Sequence, residues 1–313
     1  MADKPRILVV GSINMDLVVR SPHMPAPGET VLGEGFVTSP GGKGANQAVA
    51  AARLGARCRF LGRIGRDTFG QALLAGLRAE GIDCTDVIPT DTAATGVAMI
   101  IVDARGENSI VVASGANHRL TPDDVFARAE AFEQADAVVL QLELPLPTVR
   151  AAIEVARRYA CKVILDPAPA PQRLPEALCH VDVISPNVTE AEMLTGSKTG
   201  EERADKNIAM DLIARGASAA VLKLGSRGSM VVTNDGKMAR VPAFDVTIVD
   251  TTAAGDAFTA ALAVEVAKGT DLRAAARVAN AAGALACTRL GAQTAMPTWT
   301  EVRMLMEDQP GRD

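Results

Sequence analysis

Two acidic residues, Asp250 and Asp256, flank a turn of small residues. The apolar run 246–249 predicts a strand that ends at Asp250, and the Ala-rich stretch 257–268 predicts a helix. The first N–H groups of a helix are unpaired and attract anions. A carboxylate repels a phosphate bound beside it, so Asp256 makes chemical sense as the base for an attacking hydroxyl. The pattern indicates phosphoryl transfer to an alcohol. The alternative is an acid that only complements the helix dipole.

Two further segments near the N-terminus carry polar groups at places where a ligand could bind. Asn14 and Asp16 follow the first predicted strand and are two residues apart, so on extended backbone their side chains share a direction. The glycine-rich run around Gly42 opens a helix, where Lys43 and Asn46 add donors. Neither the Rossmann nor the Walker A glycine spacing is present, which counts against a dehydrogenase and a P-loop enzyme.

Three later positions lie where predicted strands end. Glu143 follows one such strand, and Asn187 and Glu190 follow another. The spacing of Asn187 and Glu190 is that of a capping box, although a carboxylate there could also serve Mg²⁺. Residues 224–228 form a tight turn after a further strand, which is either a hairpin or the floor of a nucleotide site.

The composition limits the classes of partner. The 313 residues are 48% hydrophobic and 22% charged, with a net charge of −5, as in ordinary globular proteins. Only 3% are aromatic, which, with the negative charge, argues against nucleic acid or an anionic membrane as partner. The five cysteines and three histidines show no zinc spacing. The chain begins without a signal-peptide core and has no long apolar run, so we expect a cytoplasmic protein.

Short apolar runs alternate with helical patterns through most of the chain. This alternation predicts an α/β fold, a three-layer domain with a mostly parallel central sheet flanked by helices. The predicted strands lie at 6–10, 58–62, 137–142, 163–165, 181–184 and 219–224. The predicted helices lie at 45–54, 70–79, 147–158, 189–194 and 204–215.

Two stretches interrupt the alternation and lack helical periodicity. Residues 17–38 are rich in Pro and Gly, and residues 96–113 read as two strands around a turn. We expect them to form a small antiparallel β lid on a single domain spanning 1–313. Two unrelated surface hairpins are the alternative. Exposed strand edges in such a lid predict a homodimer that covers them.

Five motifs, taken in order, resemble those of the ribokinase family of carbohydrate kinases, over about 7–297. They are Gly-Ser-Ile-Asn-Met-Asp, Gly-Gly-Lys-Gly-Ala-Asn-Gln-Ala-Val-Ala, Asn-Val-Thr-Glu, Leu-Gly-Ser-Arg-Gly and Asp-Thr-Thr-Ala-Ala-Gly-Asp. The resemblance implies ATP-dependent phosphorylation of D-ribose at its primary hydroxyl, giving D-ribose 5-phosphate and ADP. The alternatives are a related kinase for deoxyribose, fructose or adenosine, a non-catalytic sugar-binding regulator and, more remotely, an oxidoreductase.

The resemblance also implies a role for each matching residue. The general base would be Asp256, with an anion hole formed by the amides of Ala253, Ala254 and Gly255. The sugar hydroxyls would be held by Asn14, Asp16, Gly42, Lys43, Asn46 and Glu143. The ATP site would be lined by Asn187, Lys223, Gly225, Ser226 and Gly228, with Asn280 near the adenine.

The family further implies two metal ions. Glu190 belongs to the motif associated with Mg²⁺ and phosphate. A monovalent cation, usually K⁺, would bind oxygens of Asp250, Thr252, Ala286, Arg289, Gly291 and Ala295. Two residues depart from the wider pattern: Ala253 stands where many members have Gly, and Ala295 lacks the hydroxyl of a Ser, which Thr294 or a water would have to replace.

Overall fold

The structure is a computed structural model that describes residues 4–310. Their strands form one sheet of nine and one of four. The strands are β1 (Arg6–Val10), β2 (Asn14–Arg20), β3 (Gly35–Gly41), β4 (Arg57–Gly65), β5 (Asp83–Thr90), β6 (Gly96–Val102), β7 (Asn108–Ala113), β8 (Ala137–Leu140), β9 (Lys162–Leu165), β10 (Val183–Ile184), β11 (Ala219–Lys223), β12 (Ser229–Thr233) and β13 (Met238–Val241).

The large sheet has the strand order β13-β12-β11-β10-β9-β8-β1-β4-β5. All pairings from β11 to β5 are parallel, and β12 and β13 add an antiparallel edge. The central strands are continuous apolar runs because both faces of a parallel sheet are covered. The predicted α/β fold is therefore confirmed. The tight turn at 224–228 joins β11 to β12, so it is a hairpin.

Helices cover both faces of this sheet. They are α1 (Lys43–Arg53), α2 (Thr68–Ala79), α3 (Pro122–Phe126), α4 (Ala129–Glu133), α5 (Leu146–Arg158), α6 (Val188–Thr195), α7 (Glu202–Ala214), α8 (Ala254–Ala267), α9 (Leu272–Ala286) and α10 (Trp299–Asp308). Side chains alternate across β1, so that Ile7 and Val9 pack with one helical layer and Leu8 and Val10 with the other. The three layers predicted from the sequence are thus present.

The small sheet has the order β3-β2-β6-β7 and joins both stretches that interrupt the helical pattern. This excludes two unrelated hairpins. The two outer pairings are antiparallel, as predicted, but β2 and β6 are parallel. The reason lies in the large sheet: β2 follows β1 and β6 follows β5 after short turns, and β1 and β5 point the same way.

The strand predicted at 246–249 is wrong. These residues have no regular structure, and Ile248 and Val249 are 64% and 54% exposed. The segment follows β13 at the edge of the sheet, where no further strand is available to pair with it. Its backbone contacts the end of α9 instead, where the Val249 amide donates to the Cys287 carbonyl at 2.8 Å.

Two further properties concern the chemistry of the whole chain. Within residues 4–310, the helices are all too short or too polar to cross a membrane. All five cysteines are free thiols, and four of them are buried.

Candidate active site

Polar side chains converge at the carboxyl ends of the parallel strands. Asn14 follows β1, Glu143 follows β8, Asp166 follows β9, and Lys223 ends β11. Ligands bind at this edge of open α/β sheets because the loops and helix starts meet there. The starts of α1 and α8 complete the same cluster, as the hydrogen bond between Asn46 and Asp256 demonstrates.

Asp256 lies in the first turn of α8 and is only 5% exposed. Its Oδ2 accepts a hydrogen bond from Asn46 Nδ2 at 2.9 Å, and its Oδ1 accepts one from Gln47 Nε2 at 3.0 Å. Burial raises the pKa of Asp256 to about 6, although Lys43 and the two amides favour the charged form. A carboxylate with a pKa close to neutrality is suited to general base catalysis.

The turn before Asp256 has a strained backbone. Ala253 has a φ of 58°, in the left-handed region that favours Gly. The amides of Ala253 and Gly255 donate to no acceptor within residues 4–310, whereas the Ala254 amide makes a long bond of 3.3 Å to the Thr251 carbonyl. Two of the three amides of the expected anion hole are thus available to a ligand.

The start of α1 packs against the segment after β1. Gly42 has a φ of 89°, and a Cβ there would lie 2.7 Å from the Asn14 amide. A side chain at Gly41 would meet the Asp16 carboxylate at 2.3 Å. Glycine is therefore required at Gly42, where the clash is with backbone, whereas a side chain at Gly41 would displace the Asp16 carboxylate.

Glu143 holds the same junction from β8. It accepts hydrogen bonds from the Ser12 hydroxyl and, at 3.1 Å, from the Lys43 amide. Burial opposes the charged form of the Lys43 amine, but nearby carboxylates, led by Asp256, outweigh it and raise the pKa of Lys43. Lys43 therefore stays a cation among acidic groups.

Two further hydrogen-bond acceptors, on Asn46 and Asp16, lie near Asp256. Asn46 Oδ1 is buried and has no hydrogen-bond partner, because the amide nitrogen of Asn46 is turned towards Asp256. Burial, together with repulsion from Glu143 and Asp256, raises the pKa of Asp16 to about 7. Buried polar atoms normally find partners, so these groups are suited to a ligand with several hydroxyls. Asn14 already has one partner, since its Oδ1 accepts from Asn117 Nδ2 at 2.7 Å.

Asn187 and Glu190 form the capping box that their spacing predicts. The Glu190 carboxylate accepts from the Asn187 amide and side chain, both at 2.8 Å, and the Glu190 amide donates to Asn187 Oδ1 at 2.9 Å. Burial raises the pKa of Glu190, although Lys223 opposes this. The capping role leaves the carboxylate at the same sheet edge as Asp256.

The other residues predicted for the nucleotide lie around the β11–β12 hairpin. Gly228 has a φ of 78°, and a Cβ there would lie 2.0 Å from the Val241 carbonyl. Gly225 also has a positive φ, of 60°. Asn280 donates from Nδ2 to the Val241 and Pro242 carbonyls at 3.1 and 3.0 Å. An open cavity of about 1010 Å³ lies beside these carbonyls and is lined by Val241, Pro242 and Ser226.

The loop between Asp250 and α8 meets the segment after α9. Asp250 Oδ1 accepts from the Thr252 amide and hydroxyl at 2.9 and 2.7 Å, and its Oδ2 accepts from the Gly291 amide at 2.9 Å. These bonds outweigh burial and lower the pKa of Asp250. Arg289 is paired with Glu301.

Four backbone carbonyls near this loop accept no hydrogen bond from residues 4–310. They belong to Ala286, Arg289, Gly291 and Ala295. Ala286 and Ala295 are fully buried, where an unpaired carbonyl is costly. The donor set fits a K⁺ ion, which binds carbonyl oxygens. The Thr294 hydroxyl donates to the Leu290 carbonyl at 2.9 Å, which leaves its oxygen lone pairs free.

Sequence reasoning missed several residues of the cluster. Gln47, Gln141, Asp166 and Thr259 are all buried and bonded to one another or to Asp256. A signal for Gln47 was present, because positions 43, 46 and 47 share one face of a helix. No group of three or more His, Cys, Asp or Glu side chains in the described part of the chain is placed to hold a metal by itself.

Known proteins resemble this chain over nearly its whole length. The family model for "pfkB family carbohydrate kinase" matches residues 4–299. A ribokinase of Bacillus subtilis is 42% identical over 96% of this chain and 99% of its own length. A deoxyribokinase of Salmonella typhi is 37% identical over 93% and 95%. The solved structure of Arabidopsis thaliana ribokinase complexed with ribose and ATP superposes with a TM-score of 0.91, at 32% identity and 97% and 99% coverage.

Proposed function

The chain belongs to the pfkB family of carbohydrate kinases, and we propose that it transfers the γ-phosphoryl group of ATP to the primary hydroxyl of D-ribose, giving D-ribose 5-phosphate and ADP. The observation that carries the proposal is the buried Asp256, with a pKa of about 6, one turn from free backbone amides. The likeness to ribokinases over nearly the whole chain supports ribose as the sugar.

Each part of the site has a task in this reaction. Asp256 takes the proton of the sugar hydroxyl as its oxygen attacks the γ-phosphorus, and a positioned base contributes about 10²- to 10⁴-fold. The free amides of Ala253 and Gly255 donate to the phosphoryl oxygens, where one such donor is worth about 10²- to 10³-fold. The unpartnered Asn46 Oδ1 accepts from a sugar hydroxyl, and Asp16 and Glu143 orient the others.

ATP would lie across the β11–β12 hairpin, with Asn187 and Lys223 towards its phosphates and Asn280 towards its base. Mg²⁺ binds one or two carboxylates and otherwise phosphate or water oxygens. Glu190 would supply a carboxylate at the carboxyl ends of the strands, where the phosphates would lie. When bound, Mg²⁺ would neutralise charge on the phosphates. The Gly225 and Gly228 backbone lets the nucleotide approach the hairpin closely.

We also propose that K⁺ binds the unpaired carbonyls beside Asp250 and Thr252. The loop it would occupy runs directly into Ala253, so the ion would hold the anion-binding turn in shape. The strained φ of Ala253 is consistent with a turn that needs such support.

The four-stranded sheet is proposed to be a lid over the sugar. Asp16 lies on β2 of this sheet, and its carboxylate interacts with Glu143 and Asp256 at the edge of the large sheet. A lid that closes on the sugar would keep water from the γ-phosphate and limit wasteful hydrolysis of ATP.

We further propose a homodimer through this lid. Strand register puts Val18, Val37, Ile100 and Ile110 in one row across all four strands, on the same face as Asp16. Val37 and Ile110 are 63% and 53% exposed. A contiguous apolar row of this kind is typical of a surface that a second chain covers.

A cytoplasmic location is proposed on the state of the thiols. Free cysteines, mostly buried, persist in reducing compartments, whereas secreted proteins tend to pair them. Fractionation of the native cells followed by detection of the chain would test this location.

The test of the function is ADP release with ATP, Mg²⁺ and K⁺ over ribose, deoxyribose, fructose and adenosine. We expect selective turnover of ribose. Selective turnover of deoxyribose is the second candidate, because a deoxyribokinase is as similar to this chain as some ribokinases are. Turnover of another sugar would retain Asp256 as base and reject the sugar assignment. Folded protein that turns over none would favour a binding protein.

A further inference from the structure

Gln47 is fully buried, and both ends of its side chain are held. Its Nε2 donates to Asp256 Oδ1 at 3.0 Å and to Asp166 Oδ2 at 2.9 Å, and its Oε1 accepts from Gln141 Nε2 at 2.6 Å. Because the carbonyl end is engaged by Gln141, the amide cannot flip without losing all three bonds. One NH₂ group therefore bridges two carboxylates in a fixed orientation.

The second carboxylate is part of a buried ion pair. Asp166 is 1% exposed and accepts from the Lys223 ammonium at 2.7 Å. Thr259 donates to Asp166 at 3.3 Å and lies 3.4 Å from Lys223 Nζ. The same ammonium lies beneath the anion-binding turn, 3.6 Å from where a Cβ on Gly255 would be.

We propose that Gln47 is a positioning residue that couples the general base to the Asp166–Lys223 ion pair, and that this pair sets the charge felt by both the base and the anion-binding turn. The inference rests on the proposed function, since it concerns the base of that reaction. Two neighbouring buried carboxylates repel each other, and the Gln47 amide together with the Lys223 ammonium offsets this repulsion.

The geometry determines whether each neighbouring group raises or lowers the pKa of Asp256. The Gln47 amide donates to the ionised form of Asp256 and lowers its pKa, whereas the negative charge of Asp166 raises it. Two other charged groups interact directly with the base, Lys43 on α1 and Asp16 on β2. Glu143, Glu190 and Lys223 interact with these groups or with Asp166.

Two substitutions should therefore shift the pH profile in opposite directions. Gln47→Met keeps the side-chain volume but removes both donors, so we expect the acid limb of kcat/KM to move up by about one pH unit. Asp166→Asn removes the repelling charge, so the acid limb should move down. We expect kcat to fall by about 10- to 100-fold in Gln47→Met, with a smaller change in the KM for the sugar.

Controls separate this role from a loss of folding. Gln134→Met makes the same change at an exposed site and should leave the profile in place. Gln47→Glu keeps the shape of the side chain, and its activity, lost at high pH, should partly recover as the pH falls and the added carboxyl gains a proton. Thermal unfolding of each variant identifies those that fold.

The experiments test the proposed function and the role of Gln47 separately. Absence of sugar turnover in the unmodified protein would reject the proposed function itself. With turnover intact, folded Gln47 and Asp166 variants whose acid limbs do not move, or move in the same direction, would overturn the coupling and leave the kinase assignment standing.

Discussion

Asp16 and Asp256 belong to one site, and both have raised pKa values with burial as the main cause. Burial raises both, to about 7 and about 6, and repulsion from neighbouring carboxylates adds to it, from Glu143 and Asp256 on Asp16 and from Asp166 on Asp256. Lys43 lies among them and partly offsets the repulsion. A sugar hydroxyl can donate to either carboxylate, so the empty site stores unfavourable electrostatic energy that a polyhydroxyl ligand relieves.

Replacement of the base separates chemistry from binding. We expect Asp256→Asn to lower kcat by at least about 10²-fold, because the amide cannot accept the hydroxyl proton, while sugar affinity changes little. Single-turnover kinetics and calorimetric titration with ribose measure the two effects. A fall in affinity as large as the fall in turnover would reject the role of Asp256 as base.

The raised pKa of Asp16 also makes stability depend on pH. The folded state holds the Asp16 proton up to about pH 7, whereas the unfolded chain releases it near the ordinary value of 3.8. The stability this proton contributes is full below pH 3.8 and is lost as the pH rises to about 7. Asp256 acts in the same direction over a narrower window.

Asp16→Asn should remove most of this dependence. When the pH is raised from 5 to 8, the free energy of unfolding should fall more in the unmodified protein than in the variant, by on the order of 1 kcal/mol or more. Urea unfolding without ligand at the two pH values measures the change. An identical difference at both pH values would show that Asp16 has an ordinary pKa.

At the scale of elements, α1 connects the sugar site to the proposed cation loop. Its first turns carry Lys43 and Asn46, and its last residue is Arg53. Arg53 Nη1 donates to the Gln293 and Met296 carbonyls at 2.8 and 2.9 Å, on either side of Ala295. Glu80, directly after α2, accepts two hydrogen bonds from the Arg53 guanidinium and fixes it. A shift of α1 would therefore move both sites together.

Loss of the Arg53 hydrogen bonds should weaken the stimulation of the enzyme by K⁺. We expect K⁺ to stimulate the enzyme over Na⁺ and Cs⁺, and Arg53→Met to raise the K⁺ concentration for half-maximal rate several-fold, because two charged hydrogen bonds of about 1.5–3 kcal/mol each are lost. Arg78→Met, an exposed Arg in the last turn of α2, is the control. Equal rates in all three salts would reject the cation site.

The molecule as a whole is two sheets joined by continuing strands. β1 runs into β2, β5 into β6, and β3 leads directly into α1, so several short connections tie the four-stranded sheet to the large sheet and its helices. The apolar row on the Asp16 face would be covered in a dimer. Occupancy of the sugar site and association of two chains would then be linked, because both involve the same face of the lid.

A charge in that row should separate the chains. We expect Ile110→Glu to give a monomer by light scattering, with a raised KM for the sugar, because burying an unpaired carboxylate is costly. Val111→Glu makes the same change on the opposite face and should leave the dimer intact. A monomeric mass for the unmodified protein would refute the dimer.

The sequence by itself determined the α/β class, the alternation of strands and helices and the positions of most residues of the candidate site. The spacing of apolar residues, the glycine-rich turns and the acidic residues that follow predicted strands are local signals. Asp256, Lys43 and Glu190 were found from these signals. The mistaken strand at 246–249 shows the limit of such signals, because a β-prone run without a neighbouring strand to pair with remains irregular.

The tertiary structure alone decided which distant groups touch. Gln47, Asp166 and Lys223 come from α1, the end of β9 and the end of β11, and no spacing along the chain links them. The parallel pairing of β2 with β6 and the pKa values of Asp16 and Asp256 were settled in the same way. Pairing depends on strand direction in the whole sheet, and a pKa depends on burial and nearby charge, which exist only after the chain has folded.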